Sequence, residues 1–154
     1  MWCENRNEFY GFTQDPKTSY YMIVMNNNNS FCSNCFEPFT NNYEKWCKKC
    51  NAEQFQQNFS NWTSGNEIID KFIRETQLNA KDHWDELEWI PYNKLENVEY
   101  LNKEKFSTSY KANWLDGPIK KWSNNKRKWI RYAKTEVAIK SFNINNLSDL
   151  IKEV

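Results

Sequence analysis

Four of the five cysteines stand in two pairs, Cys32-Ser33-Asn34-Cys35 and Cys47-Lys48-Lys49-Cys50, with eleven residues between the pairs. A C-x2-C knuckle turns the chain so that two thiolates converge on one ion, and two such pairs complete a tetrahedron of sulfur ligands. The spacing therefore predicts a structural zinc site made by Cys32, Cys35, Cys47 and Cys50. Lys48 and Lys49, inside the second pair, would offset part of the negative charge of the zinc–thiolate centre. A closed four-thiolate site has no open coordination position, so it predicts structure or docking and not hydrolysis. Unliganded reduced thiols are the alternative, and disulfides the remaining one. The opening Met1-Trp2-Cys3-Glu4-Asn5-Arg6 lacks a basic segment followed by an apolar one. With no export signal, a reducing, cytoplasmic setting is expected, and disulfides fit it poorly. Cys3 has no sequence partner and reads as a bystander. For the same reason the N-x-[ST] matches at Asn28, Asn58, Asn61 and Asn146 carry no expectation of glycosylation.

Other reactive groupings are sparse. His83, the one histidine, sits in Lys81-Asp82-His83-Trp84-Asp85 and reads as a surface or interface residue, not a general base. No G-x-S-x-G or H-E-x-x-H string occurs. Between Asp116 and Glu136 the chain is basic and free of acids, with Trp122 and Trp129 inside the run. Basic residues interleaved with aromatics can hold a nucleic-acid strand. Such a run is more often the solvated tip of a long hairpin, so nucleic acid is not expected as a partner. The whole chain of 154 residues carries 21 basic and 20 acidic side chains, a net charge of +1, which excludes a globally polyanion-seeking surface. No apolar run approaches ~18 residues, so no membrane span is expected.

The elements that must position these groups follow from patterning. Aromatics make up 17% of the chain, with eight tryptophans, which argues against disorder. Only three glycines argue against a turn-dense β-sandwich. The 23 asparagines, four of them consecutive at Asn26 to Asn29, read as compositional bias and a linker. Residues 9–25 read as a hairpin, with the apolar run Tyr20 to Met25 as a strand and Asp15-Pro16-Lys17 as its turn. Residues 31–50 form the cysteine segment, resembling a zinc ribbon. Residues 51–80 read as helical: Phe55, Phe59 and Trp62 share one face, and Ser64-Gly65-Asn66-Glu67 matches a capping box before Ile68, Ile69, Phe72 and Ile73. Pro91 ends the aromatic segment Trp84 to Ile90. Val98 to Leu101, Thr108 to Trp114 and Glu136 to Phe142 read as strands. A last helix is expected from Asn145 to Val154, capped by Asn146 or Ser148, with Leu147, Leu150, Ile151 and Val154 on one face. That face has little chain left to meet, and the sequence looks cut off there.

Several longer strings carry a resemblance. Val137-Ala138-Ile139-Lys140 resembles the third-strand Val-Ala-Ile-Lys of protein kinases. Leu101 to Ala112 resembles the glycine-rich loop and second strand. Trp46-Cys47-x2-Cys50-Asn51, Trp62-Thr63-Ser64-Gly65-Asn66, Thr76-Gln77-Leu78-Asn79-Ala80 and Leu87-Glu88-Trp89-Ile90-Pro91-Tyr92 are similar to a fungal protein-kinase-like family. Its members carry a four-cysteine, Trp-rich segment before the kinase domain. The resemblance covers about residues 31–154. Residues 9–25 also resemble that family, at the fourth and fifth strands of the kinase small lobe, but out of order. They are expected to be the tail of an upstream copy or, alternatively, to join the sheet of residues 97–142 in cis.

The resemblance implies an α+β chain. Its parts are a hairpin in 1–30, a ribbon-like 31–50, a helical Trp-rich 51–96 and a partial kinase small lobe in 97–154, ending at the start of helix C. It implies ATP and magnesium as cofactors, with Lys140 and Glu153 as the phosphate-holding Lys and its helix C partner. Leu101, Phe106, Ser107, Ser109 and Ala138 would line the nucleotide with Lys140. Protein phosphorylation is the implied activity, and a protein partner, with a remaining kinase lobe supplied in trans, the implied company. The loop departs from the pattern. Its glycine positions hold Asn102, Glu104 and Ser107, and Lys105 stands at an additional one. Side chains there obstruct close backbone approach, and Glu104 repels triphosphate. Neither an H-R-D loop nor a D-F-G follows, so this chain is expected to be inactive, with a zinc-stabilised protein-interaction module or pseudokinase adaptor as the alternative.

Overall fold

The computed structural model describes residues 9–25, 30–142 and 151–152. Among them the chain is α+β, with antiparallel sheets and two α-helices. The expected hairpin forms from β1 (Phe9–Gln14) and β2 (Tyr21–Met25). Its turn is held by Asp15, whose carboxylate accepts from the Lys17 N–H at 2.8 Å and the Thr18 hydroxyl at 2.9 Å. These two strands make a sheet of their own. The sheet of residues 97–142 does not include them, so the in-cis arrangement is corrected. Tyr10, Phe12, Tyr20, Tyr21, Ile23 and Val24 all remain exposed on the hairpin.

Helix α1 (Lys48–Asn58) begins inside the second cysteine pair. A short 3-10 turn at Phe59–Asn61 ends it, so Phe55 is on the helix while Phe59 and Trp62 lie beyond. Helix α2 (Glu67–Asn79) follows. Its N-cap is Asn66, whose side chain accepts from the N–H groups of Ile68 and Ile69; Ser64 is not the cap. Ser64 instead donates to Asp70 at 2.5 Å, and the Thr63 hydroxyl donates to the same carboxylate at 2.6 Å. The capping-box string thus marks the right helix start two residues early. Glu67 and Asp70 in the first turn suit the positive end of the helix.

Strands β3 (Leu95–Lys103), β4 (Ser107–Trp114) and β7 (Thr135–Phe142) form an antiparallel meander in that order. The expected three strands are present, with β3 starting three residues earlier than its apolar run suggests. Between β4 and β7 the basic run folds as a separate hairpin, β5 (Ile119–Ser123) and β6 (Lys128–Arg131). It is not merely a solvated tip. Ile119 is fully buried, and Trp129 stacks on Phe55 with ring centroids 4.4 Å apart and on Trp46 at 6.3 Å. Trp46, Phe55, Ala80 and Ile119 form the main core, so the insert closes over α1 and the cysteine segment.

Gly117 makes the corner into this insert. It has φ +64, and a Cβ there would lie 2.3 Å from the Tyr132 carbonyl oxygen. The crowding is backbone on backbone, and the Gly117 carbonyl also accepts from Arg131 at 2.8 Å. Gly117→Ala is expected to destabilise the chain by more than ~1 kcal/mol. A lower urea midpoint with unchanged slope would show it; an unchanged midpoint would contradict the close approach. The expected helix from Asn145 to Val154, with its caps Asn146 and Ser148, lies outside the described residues except for Ile151, which is helical, and Lys152.

Candidate metal centre

The four cysteines converge. The Sγ atoms of Cys32, Cys35, Cys47 and Cys50 all lie within 4.8 Å of one another. Cys32 Sγ is 3.7 Å from Cys50 Sγ, and Cys35 Sγ is 3.4 Å from Cys47 Sγ. A tetrahedral ion with sulfur at ~2.3 Å has ligand–ligand edges of about 3.8 Å. These sulfurs are thus close enough to hold one metal ion, and none is in a disulfide. Two different local structures deliver them. Cys32 and Cys35 flank a tight turn in which the Phe36 N–H donates to the Cys32 carbonyl at 2.8 Å, with Phe36 at φ 59. Cys47 is the N-cap of α1, and Cys50 lies in its first turn. The second pair is a helix start, where the backbone N–H groups point toward the sulfurs.

The surroundings favour charge on sulfur at some positions and oppose it at others. The Asn34 side-chain amide donates to Cys50 Sγ at 3.3 Å, and the Cys50 N–H reaches Cys47 Sγ at 3.5 Å. In the metal-free cluster, burial pushes the Cys47 thiol well above its ordinary range and the Cys50 thiol up to about 11. Burial works the same way at Cys32, but hydrogen bonds from the Asn34 and Cys35 backbone outweigh it, and that thiol is lowered. An ion is what such a set needs to hold four thiolates together. Asn34 was not singled out in the sequence; a polar residue inside a C-x2-C pair was the available sign.

The residue before the N-cap ties this centre to the rest of the chain. Trp46 is fully buried, and its indole N–H donates to the Ala80 carbonyl at 3.1 Å. Nearby, the Thr40 hydroxyl donates to the Lys81 carbonyl at 2.7 Å, and the Asn41 amide donates to Asp82. Asp82 Oδ1 in turn lies 2.5 Å from His83 Nδ1, and His83 Nε2 is 3.3 Å from the Tyr132 hydroxyl. His83 is buried between these elements, so of the expected surface or interface placements the surface one is corrected.

The residues that the kinase resemblance selects lie on the meander. Lys140 is on β7, in register with Ser109 of β4, and Ala138 is two residues before it on the same exposed face. Lys140 Nζ is 3.3 Å from Glu104, in the β3–β4 turn. The Ser107 hydroxyl donates to the same carboxylate at 3.0 Å. Ser107 first and Lys140 second hold the Glu104 carboxyl below its ordinary range. Leu101 and Phe106 are exposed at the rim. Glu153 lies outside the described residues. No helix among the described residues is long and apolar enough to cross a membrane. No family model, curated protein or solved structure matches the chain.

Proposed function

We propose that the chain is a zinc-stabilised interaction module joined to a protein-kinase-like sheet that does not transfer phosphate. The observation that carries this reading is the four-sulfur cluster on two C-x2-C pairs, one of them at a helix N-terminus. Four thiolates without an open position are the donor set of structural zinc, and the metal would supply folding energy and no reactivity. The kinase-like part rests on the resemblance and is supported by the order of the meander and by Lys140 on its last strand. That it is inactive is supported by Glu104, whose carboxylate takes the ammonium that a triphosphate would need. A protein partner, with a complementary kinase lobe in trans as one form of it, is the expected company of such a module.

Elemental analysis is expected to give about one zinc per chain. In a thermal melt of the zinc-loaded protein, millimolar Mg-ATP is expected to leave the midpoint unchanged. A ligand at ~100 times its Kd would add about 2.7 kcal/mol, or several degrees in a chain this size. An ATP-dependent rise that Lys140→Met abolishes would overturn the inactive reading. Substoichiometric zinc, with a melt indifferent to metal, would overturn the structural-zinc reading.

A further inference from the structure

We infer that the groove between α1 and the β5–β6 hairpin binds single-stranded nucleic acid. The sequence presents the basic run alone, and read alone it is a hairpin tip. The fold sets it beside a row of amides from other segments. One cavity of about 530 Å³ is lined by Asn34, Gln54, Gln57, Trp122, Asn124 and Arg127. A second, of about 340 Å³, shares Gln54, Gln57, Trp122 and Arg127 with it and adds Lys128. A third, of about 260 Å³, continues from Trp122 toward the cysteine cluster and adds Lys45 and Lys121. Every charged side chain lining the three is a cation. The four cysteines with zinc carry two negative charges, which leaves the lining positive.

The chemistry of this lining is that of a strand with bases. A half-buried tryptophan offers a π-face for stacking, which every base accepts. Trp129 meets Trp122 edge-on at 5.2 Å and fixes its angle. Gln54 and Gln57 are three residues apart on one face of α1, and primary amides match base edges by donating and accepting at once. Arg127, Lys128 and Lys121 sit where a phosphate backbone would pass. A carbohydrate would use the tryptophan and amides but has no need of the cations; an acidic peptide would use the cations but not the stacking.

The test uses the full zinc-loaded chain and fluorescein-labelled eight-nucleotide uridine and thymidine oligomers, followed by anisotropy. Micromolar binding at low salt is expected, with log K falling against log salt with a slope of about −2, as three phosphate contacts on a single strand give. Trp122→Ala is expected to weaken binding at least ~5-fold, with Trp122→Phe retaining most of it. Arg127→Asn, which suits the left-handed φ of 49 there, is expected to reduce the salt slope by about 0.7 without altering the melt. The uridine and thymidine arms distinguish RNA from DNA. No binding of either oligomer at 50 mM salt would overturn the inference. So would polyglutamate binding as tightly as the oligomers, because the surface would then recognise charge alone. If Trp122→Ala fails to fold, the Arg127→Asn slope decides.

Discussion

Chelating zinc from the loaded protein is expected to abolish its cooperative melt. Structural zinc held by four thiolates contributes about 10–16 kcal/mol of apparent binding free energy at neutral pH. A domain of this size has a total stability of ~5–15 kcal/mol. The core next to the cluster consists of Trp46, Phe55, Ala80 and Ile119, with Phe59 and Trp129 against it, too small to hold four converging thiols by itself. Cys47 and Cys50 have the largest consequence, since both would be ligands and also start α1. Cys47→Ser is therefore expected to lose zinc, helix and the Trp46 environment together, read as loss of near-UV circular dichroism. The metal also competes with protons. Burial raises the Cys47 thiol, and the Cys50 thiol to about 11, so loading releases protons and retention weakens as pH falls. A Cys47→Ser protein melting within about a degree of the parent would sink this account.

The second large effect is at Glu86. Its carboxyl is buried, and one oxygen has no hydrogen-bond partner. Burial first and the neighbouring Glu88 second push it up to about 8, with Arg131 pulling the other way. Glu88 has already taken that arginine, through contacts of 3.0 and 2.5 Å. The folded chain keeps a proton on Glu86 that the unfolded chain gives up near 4.5. Its stabilising contribution is whole below pH 4.5, erodes as pH rises, and is gone above about 8. At ~1.4 kcal/mol per pH unit the upper limit of the loss is roughly 5 kcal/mol. Glu86→Gln is expected to raise the urea midpoint markedly at pH 8.5 and little at pH 5. Parent stability that stays flat across that range would exclude the protonated carboxyl.

The two cysteine pairs, both helices and the three strands of the meander were legible because each depends on local signals. The pairs need only their spacing, α2 an apolar face behind its cap, and the strands a run of β-branched and aromatic residues; α1 starts inside the second cysteine pair, and of the face expected for it only Phe55 lies on the helix. The fate of the basic run was not legible. Charges at Lys126, Arg127 and Lys128 mark a solvated turn correctly, yet Ile119 and Trp129 in the same run are core residues. Charge density says where a hairpin turns, and only the rest of the fold says what its flanks cover. The helix α2 cap was misplaced for a similar reason. Ser64 and Asn66 both favour caps, and Asp70 decides by taking the Ser64 hydroxyl for itself. His83, with two carboxylates and an indole beside it, reads from the sequence as a surface or interface residue, and the fold buries it. Its burial depends on Tyr132, about fifty residues later, which no local window contains.

The stack of Trp46 on Trp129 also sets an order of events during synthesis. The cysteines that would capture an ion span a short stretch, whereas the indole of Trp46, which meets Phe55 and Ala80 earlier in the chain, waits for its stacking partner Trp129 about eighty residues downstream. At ~5–20 residues per second, ribosomes take roughly 4–16 seconds to make that interval. A nascent chain that takes up a metal can thus do so well before Trp129 can close over Trp46. For that time the face of Trp46 that Trp129 later covers stays open to chaperones and to other unfinished chains.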